Sequence, residues 1–315
     1  MTKILVTGAG GFVGKHLIEA LLKSGESDVW ANVYSATSDL TDLLPTAKII
    51  PTDLTDLAAS TSLIQKIKPE LIYHLASLSV VQDSSEKASS VLVNNLKLHY
   101  NLLEAIRLNT PKSRIITIST GNVYGNADPA FIPMTESAPL KPLNPYAVSK
   151  LCQEFLTLQY HLAYNLDAVI LRPFNHAGAG QTTNFIIPML ARQFVGISRG
   201  EPPVIKLGNI ETKRDFTDVR DMCQAYILAA SHCKAGEVYN IGSGVGVSIH
   251  DIIAHLEDLT RIKVTITVDQ DKIRSSDVPL LVADSSKFRS ISGWSPKIPL
   301  RDTLKSVLAY WKEQR

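Results

Sequence analysis

The sequence predicts an α/β chain built on a doubly wound, parallel Rossmann-type sheet. Three observations carry that prediction. A short apolar run, Ile4-Leu5-Val6, stops at once in the turn Gly8-Ala9-Gly10-Gly11-Phe12-Val13-Gly14, and a helical pattern follows with Leu17, Ile18, Leu21 and Leu22 apolar. Further apolar runs at 29–34, 48–50, 71–75, 114–119 and 168–171 fit buried parallel strands. Stretches of helical length separate them, so strands and helices alternate. With 315 residues, 45% of them hydrophobic and 20% charged, the chain has room for a large core and no bias towards disorder.

The first turn has a chemical use. Strand, glycine turn and helix in that order form the Rossmann-type context for binding a dinucleotide. Gly8 permits the tight turn, Gly11 lets the backbone approach a pyrophosphate, and Gly14 allows close helix packing. The pyrophosphate then lies on the helix N-terminus, against Phe12 and Val13. Asp53, just after the third strand, is placed to accept a hydrogen bond from an adenine amine. It is equally placed to cap a helix beginning near Leu54, and the sequence leaves both roles open. The second strand ends Tyr34-Ser35-Ala36-Thr37-Ser38, neither acidic nor basic. Hydroxyls accommodate a 2′-phosphate without repelling it, which favours NADP(H) while leaving NAD(H) possible.

A second stretch, Asn144-Pro145-Tyr146-Ala147-Val148-Ser149-Lys150, reads as a helix start. Asn144 is the N-cap and Pro145 the first helical residue. Tyr146 and Lys150 are one turn apart and leave the same face. A neighbouring ammonium and the positive end of the helix are both expected to favour the phenolate over the phenol.

Other classes of function are disfavoured. A net charge of +2 is too balanced to suggest nucleic acid or an anionic membrane as a partner. The chain enters a strand at Ile4, which is read as leaving no room for a signal peptide. No apolar run approaches the ~18 residues of a membrane span. Cys152, Cys223 and Cys233 show no metal-binding spacing, so no metal is expected, and idle thiols in a reducing cytoplasm are the reading. Two helices carry surplus apolar residues: Val91, Leu92, Val93, Leu96, Leu98, Tyr100, Leu102, Leu103, Ile106 and Leu108 in one, and Leu151, Cys152, Phe155, Leu156, Leu158, Tyr160, Leu162 and Tyr164 in the other. A helix apolar on two faces is buried on two faces, which predicts a homodimer through a helix bundle.

Residues 115–125 read Ile-Ile-Thr-Ile-Ser-Thr-Gly-Asn-Val-Tyr-Gly. With the glycine turn, His74-Leu75-Ala76 and the Tyr146/Lys150 pair, they resemble the extended short-chain dehydrogenase/reductases, a family of nucleotide-sugar epimerases, dehydratases and reductases. The resemblance runs from Ile4 to about Tyr310. It implies a catalytic trio of Thr120, Tyr146 and Lys150, with Leu54, Leu75, Ala76, Pro173, Tyr146 and Lys150 also touching the cofactor. It implies a dinucleotide-binding domain at 1–173, with the chain returning to it near 216–242, and a smaller C-terminal substrate-binding domain for the nucleotide sugar at 174–315. Arg172-Pro173-Phe174-Asn175-His176-Ala177-Gly178 looks like the family's substrate turn. The motifs around Arg214 and Arg274 are most like those of GDP-sugar members, the GDP-mannose 4,6-dehydratases and the GDP-4-keto-6-deoxy-D-mannose reductases. There the matching arginines grip the diphosphate, and an acidic residue matching Asp277 holds the ribose. Ser79, Asn175 and Arg192 complete the implied substrate contacts, with Thr120. Where the family has Gly-Thr after the Asn matching Asn95, this chain has Leu98-His99, and His99 is read as helix packing.

Gly121-Asn122 separates the branches. Dehydratases follow the catalytic Thr with an acid that removes a proton beside the sugar ketone; neither residue here has that chemistry. The expectation is therefore an NAD(P)H-dependent reductase acting on the C4 ketone of a GDP-4-keto-6-deoxy-hexose, giving a GDP-6-deoxyhexose such as GDP-D-rhamnose. The alternatives are a nucleotide-sugar 4-epimerase, a GDP-mannose 4,6-dehydratase-like enzyme, or a dinucleotide-sensing protein without catalysis.

Overall fold

A computed structural model describes residues 2–35, 40–78, 85–269 and 278–314, the side chains of 85–87 excepted. Its first half alternates as the sequence predicts: β1 (Ile4–Thr7), α1 (Phe12–Lys23), β2 (Val29–Val33), β3 (Ile49–Pro51), α2 (Leu57–Ile67), β4 (Leu71–His74), α3 (Ser85–Asn109), β5 (Arg114–Ile118), α4 (Pro145–Tyr164) and β6 (Asp167–Pro173). These strands pair in parallel, and a later strand, β10 (Val238–Ile241), joins beside β6. The order across the seven strands is β10-β6-β5-β4-β1-β2-β3. Strand order reverses between β1 and β4, and a crevice opens there beyond the carboxyl ends of the strands.

Period-two alternation sorts the core. Ile4, Val6, Tyr73, Ile116 and Ile118 face one side, where α1 and α6 (Val219–His232) pack. Leu5, Ile72 and Ile115 face the other, against α2, α3 and α4. The chain also comes back to the first side near its end: Phe288 of α8 (Ser286–Ser292) and Trp294 are buried in the same cluster as Tyr239 of β10.

The remaining elements build a smaller layer. The strands β7 (Asn175–Ala177), β9 (Lys213–Asp218), β11 (Gly246–Ser248) and β13 (Leu280–Leu281) form one sheet around β9. A two-stranded parallel pair, β8 (Val204–Leu207) with β12 (Thr265–Val268), lies apart from it. The helices α5 (Ile186–Ser198), α7 (Ile249–Thr260) and α9 (Leu300–Glu313) cover these strands around a separate core of Leu190, Phe194, Ile252, Leu256 and Leu304.

The turn holding 121–125 is fastened to this second half. Met134 bridges to Ala283, and Val123, Tyr124 and Phe174 pack with Leu281. No described helix is long and apolar enough to cross a membrane. The three cysteines are free thiols, two of them buried.

Candidate active site

A cavity of about 760 Å³ lies at the carboxyl ends of β1, β4, β5 and β6. Its upper wall is the glycine turn. Gly8 has φ +66°, and a Cβ there would lie 2.7 Å from the backbone nitrogen of Ala76. A Cβ on Gly14 would lie 2.6 Å from the Ala9 carbonyl. Neither position accepts a side chain, because strand β4 and the turn itself already occupy the space. Gly11 caps α1 with no side chain, which leaves first-turn N–H groups available to an anion. Such a bare-backbone cradle on a helix N-terminus fits a pyrophosphate. Phe12, Val13, Leu75, Ala76 and Pro173 line the same cavity.

Asp53 and Leu54 line its far end, next to Val33 and Tyr34. Asp53 does not cap the following helix. That helix starts at Leu57 and is capped by Asp56, whose side chain accepts from Ala58 and Ala59. Asp53 instead closes its own turn, its Oδ1 accepting from the nitrogen and the hydroxyl of Thr55, both at 2.8 Å.

Thr120, Tyr146 and Lys150, the trio that the resemblance implies, all line the cavity. Asn144 caps α4 by accepting from Ala147 N–H at 2.8 Å, with Pro145 at the first position, as the sequence predicts. Tyr146 and Lys150 therefore both reach the cavity, Lys150 Nζ standing 6.0 Å from the Tyr146 ring centre. The Lys150 ammonium is 2% exposed and donates to the Ile118 carbonyl at 2.8 Å, which pins it to the end of β5. Thr120 begins the turn after β5 and also faces the cavity.

The electrostatics differ from the expectation that Lys150 favours the Tyr146 phenolate. Burial pushes the Tyr146 phenol up to about 12. Burial also pushes Lys150 down to about 7, opposed by the Glu154 carboxylate. Both shifts have one cause: a group with little water around it resists carrying charge, whatever its sign. The phenol keeps its proton at neutral pH, the state required for giving one away. His74 and His99 behave likewise. Their rings stack at 5.0 Å, and burial first, with the Lys150 charge adding to it, holds His74 well below its usual range and His99 near 3. His99 bonds Thr157 at 2.8 Å between α3 and α4, the packing role read from sequence.

Asn175 lines the cavity with Thr120, but among the described residues Arg192 and Arg214 do not. Arg192 lies on α5, in a separate depression with Met189 and Glu201, and its guanidinium stacks over Trp311. It is placed away from the trio because α5 packs its other face into the second core. Arg214 of β9 donates to the Val278 carbonyl at 2.6 Å. Ser79, Arg274 and Asp277 lie outside the described residues.

Among the lining residues to which sequence reading assigned no role are His176 and Tyr226. His176, stacked on Phe12 with ring centres 6.3 Å apart, lines the cavity. Its place inside the substrate turn was the available signal. Tyr226 of α6 also lines it, with a hydroxyl that has no hydrogen-bond partner among the described residues. Its helical spacing reads as ordinary core, and nothing local marks it.

A family model described as GDP-mannose 4,6 dehydratase matches residues 5–307. The chain belongs to that family. It is 33% identical to GDP-6-deoxy-D-mannose reductase of Pseudomonas aeruginosa, over 99% of this chain and 98% of that one. It is 32% identical to GDP-6-deoxy-D-talose 4-dehydrogenase of Aggregatibacter actinomycetemcomitans, over 92% and 91% of the two chains. The solved structure of RMD from Pseudomonas aeruginosa, complexed with NADPH, superposes with a TM-score of 0.88 at 31% identity, each chain covered in full.

Two outcomes follow from this geometry. Tyr146→Phe should fold normally and still bind a dinucleotide, while turnover drops by a factor on the order of 10²–10⁴. A variant retaining half the wild-type rate would show that the phenol is not the proton donor. Lys150 ionises near 7 in the fold against its ordinary 10.5. Between those values the unfolded chain binds more protons, so this group's contribution to stability rises with pH across the window and is lost as pH falls through about 7. Urea unfolding of Lys150→Met should therefore show a stability advantage over wild type at about pH 7 that shrinks towards about pH 10. A difference independent of pH would mean that Lys150 is not depressed.

Proposed function

We propose that the protein reduces the C4 ketone of a GDP-4-keto-6-deoxy-hexose to the corresponding GDP-6-deoxyhexose, such as GDP-D-rhamnose. The observation that carries this reading is the absence of an acid–base carboxylate where a dehydratase needs one. Asp53, at the far end of the cavity, is the sole carboxylate among its described lining residues. Gly121 has no room for a side chain, since a Cβ there would lie 2.9 Å from the Phe174 ring. The adjoining Asn122 is an amide, which does not ionise near neutral pH and so cannot serve as the acid or base.

The chain's own residues then supply the rest. Gly8, Gly11, Phe12, Val13 and Gly14 hold the pyrophosphate of NADP(H) or NAD(H), with Asp53, Leu54, Leu75, Ala76 and Pro173 around the remainder. A reduced nicotinamide bound there supplies hydride. Thr120 donates a hydrogen bond to the ketone oxygen as negative charge builds on it. Tyr146, kept protonated by burial, gives that oxygen its proton. Lys150 supplies positive charge behind the phenol and holds its helix against β5. The hydroxyl-bearing end of the second strand, together with the NADPH complex of the Pseudomonas relative, favours NADP(H). On the sugar side, Asn175 takes the hexose. Ser79 is a further sugar contact, Arg214 and Arg274 take the diphosphate, and Asp277 takes the ribose.

The GDP preference rests on the kinship to enzymes of GDP-6-deoxy sugars. Two guanidiniums give affinity for any nucleotide diphosphate, so base choice must come from groups that pair with guanine and are stranded by uracil, at roughly 1–3 kcal/mol each. A spectrophotometric assay with NADPH should show steady loss of reduced nicotinamide with a GDP-4-keto-6-deoxy-hexose. GDP should also stabilise the protein against heat more than UDP or dTDP at equal concentration. Interconversion of a nucleotide sugar with no net consumption of cofactor would establish an epimerase instead.

The assembly is proposed to be a cytoplasmic homodimer. The α3 and α4 faces that turn away from the sheet leave Val93 58%, Phe155 60% and Leu162 74% exposed. A second copy of the same two helices would cover them as a four-helix bundle. Sedimentation should give a two-chain mass for the wild type and a one-chain mass for Phe155→Asp combined with Leu162→Asp. A monomeric wild type at micromolar concentration would rule the bundle out.

A further inference from the structure

Behind the catalytic residues runs a buried polar chain that the reduction does not use. Glu154 lies one helical turn beyond Lys150 on α4 and is 4% exposed. Arg172 grips its carboxylate, with Nε at 2.9 and 3.2 Å from the two oxygens and Nη2 at 2.7 Å. Ser119, the residue before Thr120, donates its hydroxyl to the same carboxylate. Arg172 in turn precedes Pro173, and its Nη1 donates to the Tyr124 hydroxyl at 2.9 Å and to the Glu136 carbonyl at 3.3 Å. The Tyr124 hydroxyl donates onward to Asn240 Oδ1 at 2.7 Å. One carboxylate thus joins the helix bearing Tyr146 and Lys150, the strand end bearing Thr120 and the strand end bearing Pro173.

Stability alone does not call for such a pair, because well-packed apolar residues often replace a buried ion pair at no loss. Its charge does matter to Lys150. Tyr146 and Glu154 face the lysine from its own helix, His74 from β4 and His99 from α3. Burial keeps the phenol protonated and both imidazoles neutral, so among the described residues Glu154 is the anion that acts on the ammonium. Arg172 holds both carboxylate oxygens and so limits how much of that field Lys150 receives.

We propose that Glu154 is a positioning residue of this site: through Ser119 it holds the turn that aims the Thr120 hydroxyl, and, balanced against Arg172, it sets the charge on Lys150. This deepens the reading of Thr120, Tyr146 and Lys150 as catalytic and rests on it. It makes the two members of the ion pair act on Lys150 in opposite directions. Without Glu154 the ammonium loses its supporting anion; without the Arg172 grip it receives the whole of it.

The test measures NADPH affinity of the free protein against pH by fluorescence titration, which needs no sugar. Wild-type affinity should weaken as Lys150 loses its proton, beginning near pH 7. In Glu154→Gln that transition should move down by about 1 pH unit, and in Arg172→Lys, which keeps a cation but loses the two-pronged grip, it should move up. A merely structural role would weaken binding in both variants at every pH and shift neither. Ser119→Ala, which leaves the ion pair intact, should lower kcat about tenfold with little change in KM, as expected for a contact felt in the transition state. Unmoved transitions, shifts of the same sign in both variants, or Ser119→Ala turning over at the wild-type rate would overturn the proposal. A wild-type protein that binds no NADPH would overturn the cofactor reading beneath it, and the proposal with that.

Discussion

Seven parallel strands end along one edge, and the close approach of backbone at that edge is what the remaining architecture depends on. Gly8 can sit against Ala76 and Gly14 against Ala9 because neither carries a Cβ. Those two contacts seat the N-terminus of α1 directly over the point where strand order reverses. A side chain at either position would push the helix off the sheet, and the first-turn N–H groups would no longer face the crevice. The ends of β4, β5 and β6 then arrive beside the turn through parallel pairing alone. Leu75, Thr120 and Pro173 reach one cavity although they are far apart in the chain.

Within that cavity, burial outranks pairwise charge. Tyr146 and Lys150 are shifted in the directions that desolvation dictates, one towards keeping its proton and the other towards losing it. Both shifts favour neutral forms, so the pair stands ready to respond when a charged ligand enters. The same rule keeps His74 and His99 uncharged and lets them serve as a stacked filler between β4 and α3. The buried Glu154 and Arg172 are instead held as a pair, each supplying the other with close hydrogen bonds that replace water.

The second half of the chain shapes the site as much as the first. The 121–125 turn packs on Phe174 and Leu281, and Met134 bridges to Ala283. Two crossings, at α6 with β10 and again at Phe288 and Trp294, return the chain to the large sheet. The layer carrying Arg214 is thereby tied to the layer carrying the glycine turn by core packing, not by a single linker.

Local chemistry was enough to read the alternating strands, the glycine turn, the Asn144 cap and the one-turn spacing of Tyr146 and Lys150. Each depends on neighbours within a few residues: period-two and period-3.6 burial, a missing Cβ, a side chain bonding an N–H three positions on. The exposed apolar faces of α3 and α4 were legible for the same reason. The sequence also offered Asp53 two roles; the structure removed one, because Asp56 stands closer to the helix start. Tertiary structure alone decided the rest. Arg192 was drawn away because α5 buries its opposite face in a different core, which no motif around it records. Tyr226 entered the cavity from a helix some eighty residues after Tyr146, through packing with no local signature. The ionisation of Tyr146 and Lys150 likewise could not be read from their spacing. Spacing determines which groups are neighbours, whereas burial is a sum over every segment that folds around them.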